Sequence, residues 1–594
     1  MLRNYLLNGI FLLSSGLIFA QRSPDISVKD LKSDVYYLAS DSLKGRKPGT
    51  QGGNLAAEYI HRQFKACNLR LAADNGFQYF DIVSDITLGE KNSLRFPGFE
   101  GTTNKDFMPL AYSSSGELNA PVVFAGYGFD IDQDSLKWKD YDGLDTKGKW
   151  VMILRGDPEP DSMVSRFIPF SDLRGKILTA KDHGVAGVLV VTPVGFDKDD
   201  KLIQLSNDNN DVTSGIPVIN IKRKVANMMI QSSGFRIDSL EKILNNAKQP
   251  KSFEVPLTVD ASASILIKRE KTANVIGILE GSDPILKDEF IVIGAHYDHL
   301  GMGGTGSGSR VPDTVAVHNG ADDNASGTAM VIELAGKLSS VKKDLRRSII
   351  FVAFSAEEMG LIGSKYFVDH CPVDIKKVKT MFNFDMVGRF DKEKNSISVS
   401  GTGTAVETDS LVKKYEKNLA FTVTHSPDGY GPSDHAAFYS SNIPVMYFST
   451  GAHTDYHTPS DDADKLDYDK EKEIGEFAYN IIMDVDKMAT PLAFQVSGSK
   501  ESSGRGGRRL KVTLGIMPDF AGTEKQGLRV DGVTKGGPAD KGGMLKGDII
   551  ISINGMKVRD IYEYMSRLGK LKQGQTISVE VIREEKNEVL LIQL

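Results

Sequence analysis

The sequence of 594 residues contains few cysteines and no surplus of basic residues, and both shortages exclude whole classes of protein. Two cysteines, Cys67 and Cys371, are too few for a disulfide framework or a cysteine-based zinc finger, so we expect two buried free thiols. Lysine and arginine total 72 against 78 aspartates and glutamates, which leaves no basic footprint for nucleic acid. After residue 20 the sequence has no apolar run of membrane-spanning length and no internal repeat.

The first twenty residues contain a long apolar run, unlike the rest of the chain. Arg3 precedes a mostly apolar run from Leu6 to Phe19, and Ala20 follows that run directly. A positive start, an apolar stretch and a small residue are typical of a secretory signal peptide, here spanning residues 1–20. A membrane anchor is the alternative, although the run is short for a spanning helix. We therefore expect export, either to a periplasm or out of the cell.

The length of the chain predicts several domains, because one hydrophobic core does not serve so many residues. At 261–496 strands alternate with helices and several strands are apolar throughout, which predicts an α/β domain with a mixed, largely parallel sheet sandwiched by helices. Residues 21–103 would be the first part of that domain, and short strands with turns at 104–260 predict a small α/β insert. A Gly/Ser-rich stretch at 497–509 predicts a linker, and residues 510–594 a compact β-rich domain.

Carboxylates and imidazoles recur just after the strands of the larger domain. Ligands bind beyond the carboxyl ends of strands in open α/β sheets, so we expect these side chains to lie together. Each residue alone also has an ordinary explanation as a helix cap or a turn residue. The six residues are His296 and Asp298 in "GAHYDH", Glu357 and Glu358 in "FSAEEMG", Asp385 in "NFDMVG" and His457 in "DYHTPSD".

This set of residue types suits a pair of zinc ions. Zinc binds imidazole nitrogen and carboxylate oxygen, and two ions can share one bridging carboxylate. The stretch "NGADDNASG" adds two consecutive aspartates, Asp322 and Asp323, between glycines at the start of a helix, where Asp322 or Asn324 as an N-cap is the alternative. Adjacent residues of an extended segment point in different directions. Glu357 and Glu358 can therefore have two roles, one binding metal and the other accepting a proton from water.

Taken together, the five blocks "GAHYDH", "GADDNASG", "FSAEEMGLIGS", "NFDMVG" and "DYHTPSD" resemble the signature blocks of the co-catalytic di-zinc aminopeptidases, metallopeptidase family twenty-eight of clan MH. The resemblance extends to "LASDSLKGRKPGTQGG" and implies a zinc-dependent exopeptidase acting on peptides. Cobalt and manganese are alternative metals. The resemblance implies that His296 and Asp385 bind one zinc, Glu358 and His457 bind the other, Asp323 bridges them, Glu357 is the general base, Asp298 orients His296, Tyr456 stabilises an oxyanion and Asp322 is structural.

The accessory segments carry resemblances of their own. The insert is similar to a protease-associated domain, which implies a position beside the active site. The last segment resembles a PDZ domain through "TLGIMPDF" and "GGPADKGGMLKGDIIISINGMKV". Leu514, Gly515 and Ile516 would then bind the carboxylate of a C-terminal peptide ligand through their backbone N–H groups. The alternative for this domain is a packing module. His435, in "PSDHAAF", is either a substrate contact or a structural histidine, and we favour the structural role.

Three functions remain open from the sequence. The first is an exported aminopeptidase with a zinc pair. The second keeps the fold and changes the reaction, to a carboxypeptidase or to a glutaminyl cyclase. A cyclase resembles a one-zinc design, which the full set of ligand positions argues against, and no basic pocket for a substrate carboxylate is evident. The third is a peptide-binding scaffold without catalysis. The presence of a suitable residue at every metal position argues against it.

Overall fold

The computed structural model of the chain describes residues 23–133, 136–160, 165–205, 212–497, 512–518, 526–533, 536–559 and 561–594. The predicted signal peptide at 1–20 lies outside these residues, as does nearly all of the predicted linker at 497–509. Cys67 is a buried free thiol and Cys371 is a half-buried one. Among the described residues, no helix is both long enough and apolar enough to cross a bilayer.

The first segment of the larger domain supplies two helices and two strands. Ser27 accepts a hydrogen bond from the Asp30 N–H at the start of the first helix, and Thr50 accepts one from the Gly53 N–H at the start of the second. Both are side-chain caps that satisfy backbone donors at a helix N-terminus. The elements are α1 (Val28–Leu38), α2 (Gln51–Ala66), β1 (Arg70–Leu71) and β2 (Phe77–Leu88).

The chain then forms an insert with its own eight-stranded sheet and its own hydrophobic core. The strands are β3 (Ser93–Phe96), β4 (Phe99–Glu100), β5 (Phe107–Pro109), β6 (Gly116–Ala125), β7 (Asp130–Gln133), β8 (Leu136–Lys139), β9 (Trp150–Leu154), β10 (Gly187–Val191), β11 (Val218–Ile221) and β12 (Ser252–Ala263), and the helices are α3 (Leu173–Asp182), α4 (Arg223–Met229) and α5 (Ile237–Ala247). The sheet order is β4-β3-β12-β6-β9-β10-β11-β5, and β7 and β8 form a separate two-stranded sheet. Two of these strands, β3 and β4, precede the boundary predicted at residue 104.

The second segment completes the larger domain. Its strands are β13 (Ile265–Leu279), β14 (Phe290–His296), β15 (Ser348–Phe354), β16 (Val378–Phe384), β17 (Ser396–Ser400), β18 (Thr422–Ser426) and β19 (Val445–Ser449), and its helices are α6 (Gly327–Ser340), α7 (Ile362–Asp369), α8 (Thr408–Glu416), α9 (His435–Tyr439) and α10 (Tyr468–Lys487). The nine-stranded sheet has the order β1-β13-β15-β14-β16-β19-β17-β18, with β2 beside β13. Its four central strands, β15, β14, β16 and β19, are parallel.

Both faces of this sheet are covered, as the apolar strands predict. Alternate residues of β15 enter different cores: Ile349 and Phe351 pack with α1, α2, α6 and α10, whereas Ile350 and Val352 pack with α7 and α9. A strand that is buried on both faces has no polar side to present, which explains its continuous apolar run. The structure therefore confirms the mixed, largely parallel sheet sandwiched by helices.

The C-terminal domain is a separate β-rich unit with its own core. Its elements are β20 (Ile516–Pro518), β21 (Leu528–Val533), β22 (Ile549–Ile553), β23 (Met556–Lys557), β24 (Thr576–Arg583), β25 (Lys586–Gln593), α11 (Pro538–Lys541) and α12 (Ile561–Leu568). Helix α12 lies against α3 of the insert. Arg567 there is buried and its guanidinium binds the carboxylate of Asp182, with Nη2 2.9 Å from Oδ1. Lys181 Nζ lies 3.3 Å from Glu563 Oε1 in the same contact.

One buried cation ties the first segment to the carboxyl edge of the sheet. Arg46 is 0% exposed, and its guanidinium donates to the carbonyls of Leu38, Tyr297, Asn319 and Gly320 at distances between 2.5 and 2.9 Å. Burial lowers the pKa of Arg46 to about 10, although the carboxylates of the neighbouring aspartates favour its charge. A buried charge is tolerated when it is fully hydrogen-bonded. Arg46 thus joins α1 to the loops that follow β14 and precede α6.

We expect Arg46→Met to destabilise the larger domain by about 3–5 kcal/mol, because it leaves several buried carbonyls without a donor. Arg46→Lys keeps the charge but has no planar fork, so it should recover only part of the loss. Urea unfolding of the full chain measures both. Arg95→Met is the control, since the Arg95–Glu100 pair is exposed on both sides, 56% and 70%, and such pairs contribute little. An unchanged transition in Arg46→Met would contradict the anchoring role.

Candidate metal centre and active site

Polar side chains converge where the central parallel strands end. His296 is the last residue of β14, and its strand position is level with Phe354, the last residue of β15. Glu357 and Glu358 follow three and four residues beyond Phe354, and Asp385 follows β16 directly. Because parallel strands in register end at one edge, side chains from three strands meet there. The structure thus brings together residues that are distant in the sequence: His296 and Asp385 are 89 positions apart.

The first group of donors consists of His296, Asp323 and Asp385, and all three are buried. His296 Nε2 lies 3.4 Å from Asp323 Oδ1 and 3.5 Å from Asp385 Oδ1. Ligands around a tetrahedral zinc stand about 3.3 Å apart, as follows from bond lengths near 2.0–2.1 Å. The spacing is therefore that of donors around one shared ion.

The second group of donors lies on the other side of Asp323. His457 Nε2 is 3.1 Å from Asp323 Oδ2 and 3.1 Å from Glu358 Oε2. Asp323 consequently turns Oδ1 toward His296 and Oδ2 toward His457. A carboxylate whose two oxygens face two donor groups has the geometry of a bridging ligand.

His299, the last residue of "GAHYDH", is a member of this cluster that the sequence reasoning missed. It is buried, and its Nδ1 lies 2.7 Å from Glu358 Oε1 and 3.9 Å from Asp323 Oδ2. The ligand atoms of His299, Asp323 and Glu358 also lie close enough together to hold a metal ion, so His299 borders the second group of donors. The signal was available, since His299 follows the same strand end as His296 and Asp298.

The residues present fit a cation. Asp323 Oδ2, His457 Nε2 and His299 Nε2 are buried and make no hydrogen bond within the part of the chain that the structure describes. Buried polar atoms without a partner are costly. Burial lowers the pKa of His457, but Asp323 and Glu358 outweigh that effect and raise it to about 10. The carboxylates around this imidazole therefore favour positive charge at its Nε2, which is the position a metal ion would occupy.

Asp298 holds the two glutamates in place. Its Oδ1 accepts the Glu357 N–H at 3.1 Å and its Oδ2 lies 3.4 Å from the Glu358 nitrogen. His296 Nδ1 lies 3.2 Å from the backbone carbonyl oxygen of Asp298 and 3.9 Å from its carboxylate. The carbonyl is therefore the contact that can orient His296, whereas the carboxylate holds the backbone of Glu357 and Glu358. Burial raises the pKa of Asp298 to about 7.

Two further carboxylates shape the turn that carries Asp323. Asp322 Oδ1 accepts the N–H groups of Gly388 and Arg389 at 2.7 and 3.0 Å, as a structural residue would. Asp461, which the sequence reasoning did not consider, accepts the N–H groups of Asp322 and Asp323 with Oδ2 at 3.0 Å for both. These bonds fix the direction in which the Asp323 side chain leaves the backbone.

The remaining predicted residues are placed as follows. Tyr456 stacks on His457 with ring centroids 3.9 Å apart, and burial raises its pKa above the usual range. His435 is fully buried and stacks on Tyr447 at 4.5 Å, and burial lowers its pKa to about 3, in accord with a neutral structural histidine. In the C-terminal domain Leu514 is buried and the Gly515 N–H donates to Thr513 Oγ1 at 3.0 Å. Peptide binding by Leu514, Gly515 and Ile516 stays a prediction.

Comparison with known proteins agrees with this geometry. Residues 274–482 match the family model "Peptidase family M28", and residues 507–594 match "PDZ domain". The catalytic segment belongs to peptidase family M28. Its matched region contains every donor in both groups, from His296 to His457. The chain thus combines a segment of this peptidase family with a C-terminal PDZ domain.

Among curated relatives, Aminopeptidase YwaD of Bacillus subtilis (strain 168) is 25% identical over 472 residues, which cover 77% of this chain and 84% of that protein. Leucine aminopeptidase 2 of Trichophyton rubrum is 29% identical over 196 residues, 32% of this chain and 35% of the relative, so the match spans about a third of that protein. Among solved structures, an aminopeptidase from Aneurinibacillus sp. strain AM-1 is 21% identical with a TM-score of 0.49, covering 79% of this chain and 95% of the other.

Proposed function

We propose that this chain is an exported metallo-aminopeptidase that removes N-terminal residues from peptides with a co-catalytic zinc pair and Glu357 as general base. The observation that carries the proposal is Asp323, which presents one carboxylate oxygen to each of two donor groups. Two relatives bear the names aminopeptidase and leucine aminopeptidase, which supports the reaction type. The apolar run at 6–19 supports export.

The metal ligands in this proposal are His296 and Asp385 on one side, Glu358 and His457 on the other, and Asp323 between them. Bound zinc would supply Lewis-acid polarisation of the scissile carbonyl and would make water easier to deprotonate. The chain's own contribution is to hold four carboxylates and three imidazoles at one edge of the sheet and to shield them from bulk water. Cobalt or manganese would satisfy the same donors.

Glu357 is the side chain placed to move the proton. Its Oε2 lies 3.9 Å from His296 Nε2, outside the shorter donor contacts, and its backbone is held by Asp298. Burial raises the pKa of Glu357 well above its usual range, and the charge of Glu358 raises it further. A base is most effective when its pKa approaches the working pH. Glu357 would accept a proton from the attacking water and donate it to the leaving amine nitrogen.

A free N-terminal amine can contact an individual carboxylate of the site. The carboxylates of Asp323, Asp385, Glu357 and Glu358 lie within one cluster, and although a zinc pair would offset their net charge, an ammonium group would still donate to one of their oxygens. A peptide with an internal bond at this position would bring no such charge. The positive N-terminus would therefore restrict cleavage to one residue at a time.

We further propose that the PDZ domain binds the C-terminus of a peptide at the loop of Leu514, Gly515 and Ile516. Support comes from the match of residues 507–594 to the PDZ model and from β20, which begins at Ile516 and pairs with β21. An added peptide strand along β20 would gain backbone hydrogen bonds. Its ligand is a protein partner or a substrate with a free carboxyl terminus.

Glu357→Gln should lower kcat by about 10²–10⁴-fold, since general-base catalysis contributes that much, while zinc content stays that of the wild type. Peptide hydrolysis and metal analysis of the full mature chain measure the two quantities. Glu393→Gln, an exposed glutamate of the same domain, is the matched control and should leave kcat unchanged. Wild-type turnover in Glu357→Gln would remove Glu357 from the mechanism.

Acetylating the N-terminus of a short peptide should slow its cleavage by at least about 10-fold, because the charge-assisted contact of the ammonium group is lost. The same peptide with an amidated C-terminus should be cleaved like the free peptide. Both are compared by product release from the zinc-loaded chain. Equal cleavage of acetylated and free peptide, with loss on C-terminal amidation, would instead indicate a carboxypeptidase.

A further inference from the structure

His299 lies beside the second group of donors, His457, Asp323 and Glu358. It contacts one carboxylate oxygen of Glu358, and His457 contacts the other. Glu358 Oε2 lies 3.1 Å from His457 Nε2, whereas Glu358 Oε1 lies 2.7 Å from His299 Nδ1. His299 Nδ1 is 3.9 Å from Asp323 Oδ2, which is longer than the 3.1 Å contact of that oxygen with His457. His299 is therefore set behind Glu358 rather than within the inner group.

The surrounding side chains and backbone leave the imidazole ring of His299 little room to change its orientation. A side chain has no room at Gly320, where an added Cβ would stand 2.5 Å from His299 Cδ2 and 2.6 Å from Cγ. The His299 ring also lies against His457, with centroids 5.7 Å apart and planes at 72°. Within the described chain, Nε2 makes no hydrogen bond, so the contact to Glu358 is the ring's hydrogen bond. The packing thus aims Nδ1 at one carboxylate oxygen.

The same segment of chain also holds the second imidazole. Nine residues after His299, the carbonyl of Gly308 lies 3.1 Å from His457 Nδ1, and the Arg310 N–H donates to the His457 carbonyl at 3.0 Å. The stretch following β14 therefore contacts Glu358 through Oε1 and His457 through Nδ1, whereas Glu358 Oε2 and His457 Nε2 face each other. Metal ligands whose outer atoms are held in this way bind metal with less loss of rotamer freedom.

We propose that His299 is a positioning residue for the second metal ion: its Nδ1–H donates to Glu358 Oε1 and thereby directs Oε2 to the ion shared with Asp323 and His457. This inference rests on the proposed zinc pair and deepens it. Loss of a hydrogen-bonded partner of a metal ligand typically weakens metal binding by 10–100-fold. His299 would not touch the substrate, and its effect would pass through Glu358.

Two substitutions separate the hydrogen bond from the bulk of the ring. His299→Asn keeps a nitrogen donor on the atom next to Cγ, near the position of Nδ1, whereas His299→Leu keeps a branched side chain and has no donor. We expect His299→Leu to raise one of the two zinc dissociation constants by about 10–100-fold and His299→Asn to change it by no more than a few-fold. The other dissociation constant, at His296 and Asp385, should not change in either variant.

The measurement is zinc titration of the full mature chain in competition with a chromophoric chelator, which does not depend on peptide hydrolysis. His425→Leu, a histidine that binds Asp409 and Glu416 away from the cluster, is the control. A double-mutant cycle with Glu358→Ala adds the decisive comparison, since His299→Leu should have no further effect once Glu358 is absent. Circular dichroism checks that each variant is folded.

The outcomes are distinct. Equal weakening by His299→Leu and His299→Asn, or further weakening in the Glu358→Ala background, would make His299 a metal ligand and overturn the positioning role. Unchanged zinc affinity in His299→Leu would overturn any role at the metal. A wild-type chain that binds a single zinc would contradict the proposed pair itself, and is read from the same titration without any variant.

Discussion

The burial of several carboxylates at one edge of a sheet is the constraint on which the rest of this structure depends. Asp323, Asp385, Glu357 and Glu358 lie together among apolar strands, where like charges repel and water does not screen them. Such a cluster requires positive charge nearby. The imidazoles of His296, His299 and His457 supply part of it, and bound cations would complete it.

Much of the surrounding fold serves to hold these side chains in position. Asp298 and Asp461 each accept two backbone N–H groups from the dipeptides that carry the functional carboxylates. Arg46 donates to four backbone carbonyls and brings a positive charge close to the cluster. In each case a charged side chain binds backbone atoms, and this fixes the direction of the neighbouring side chain. A site held in this way is organised before substrate arrives.

The sequence was enough to predict the main sheet and the residues at its edge, because both signals are local. A strand buried on both faces must be apolar throughout, and β15 is. Residues that follow such strands meet at one edge, so His296, Glu357 and Asp385 could be placed together without knowing the strand order. The sandwich of helices followed from the same pattern.

What could not be predicted depends on contacts between distant segments. Asp461 lies in a loop that gives no periodic signal, and its role appears only when its carboxylate meets the Asp322 and Asp323 N–H groups. His299 was visible in its motif, but its distance to Glu358 depends on how the loop after β14 turns. The first strands of the insert, β3 and β4, join its sheet through pairing with β12, which short strands do not reveal in sequence.

Counting zinc per folded chain decides whether Asp323 is shared by two metal ions. We expect two zinc ions in the wild type, one in Asp385→Asn, and weakened binding of both in Asp323→Asn, measured by metal analysis after equilibrium dialysis. An Asp323→Asn variant that keeps two ions, or that loses the same single ion as Asp385→Asn, would contradict the claim.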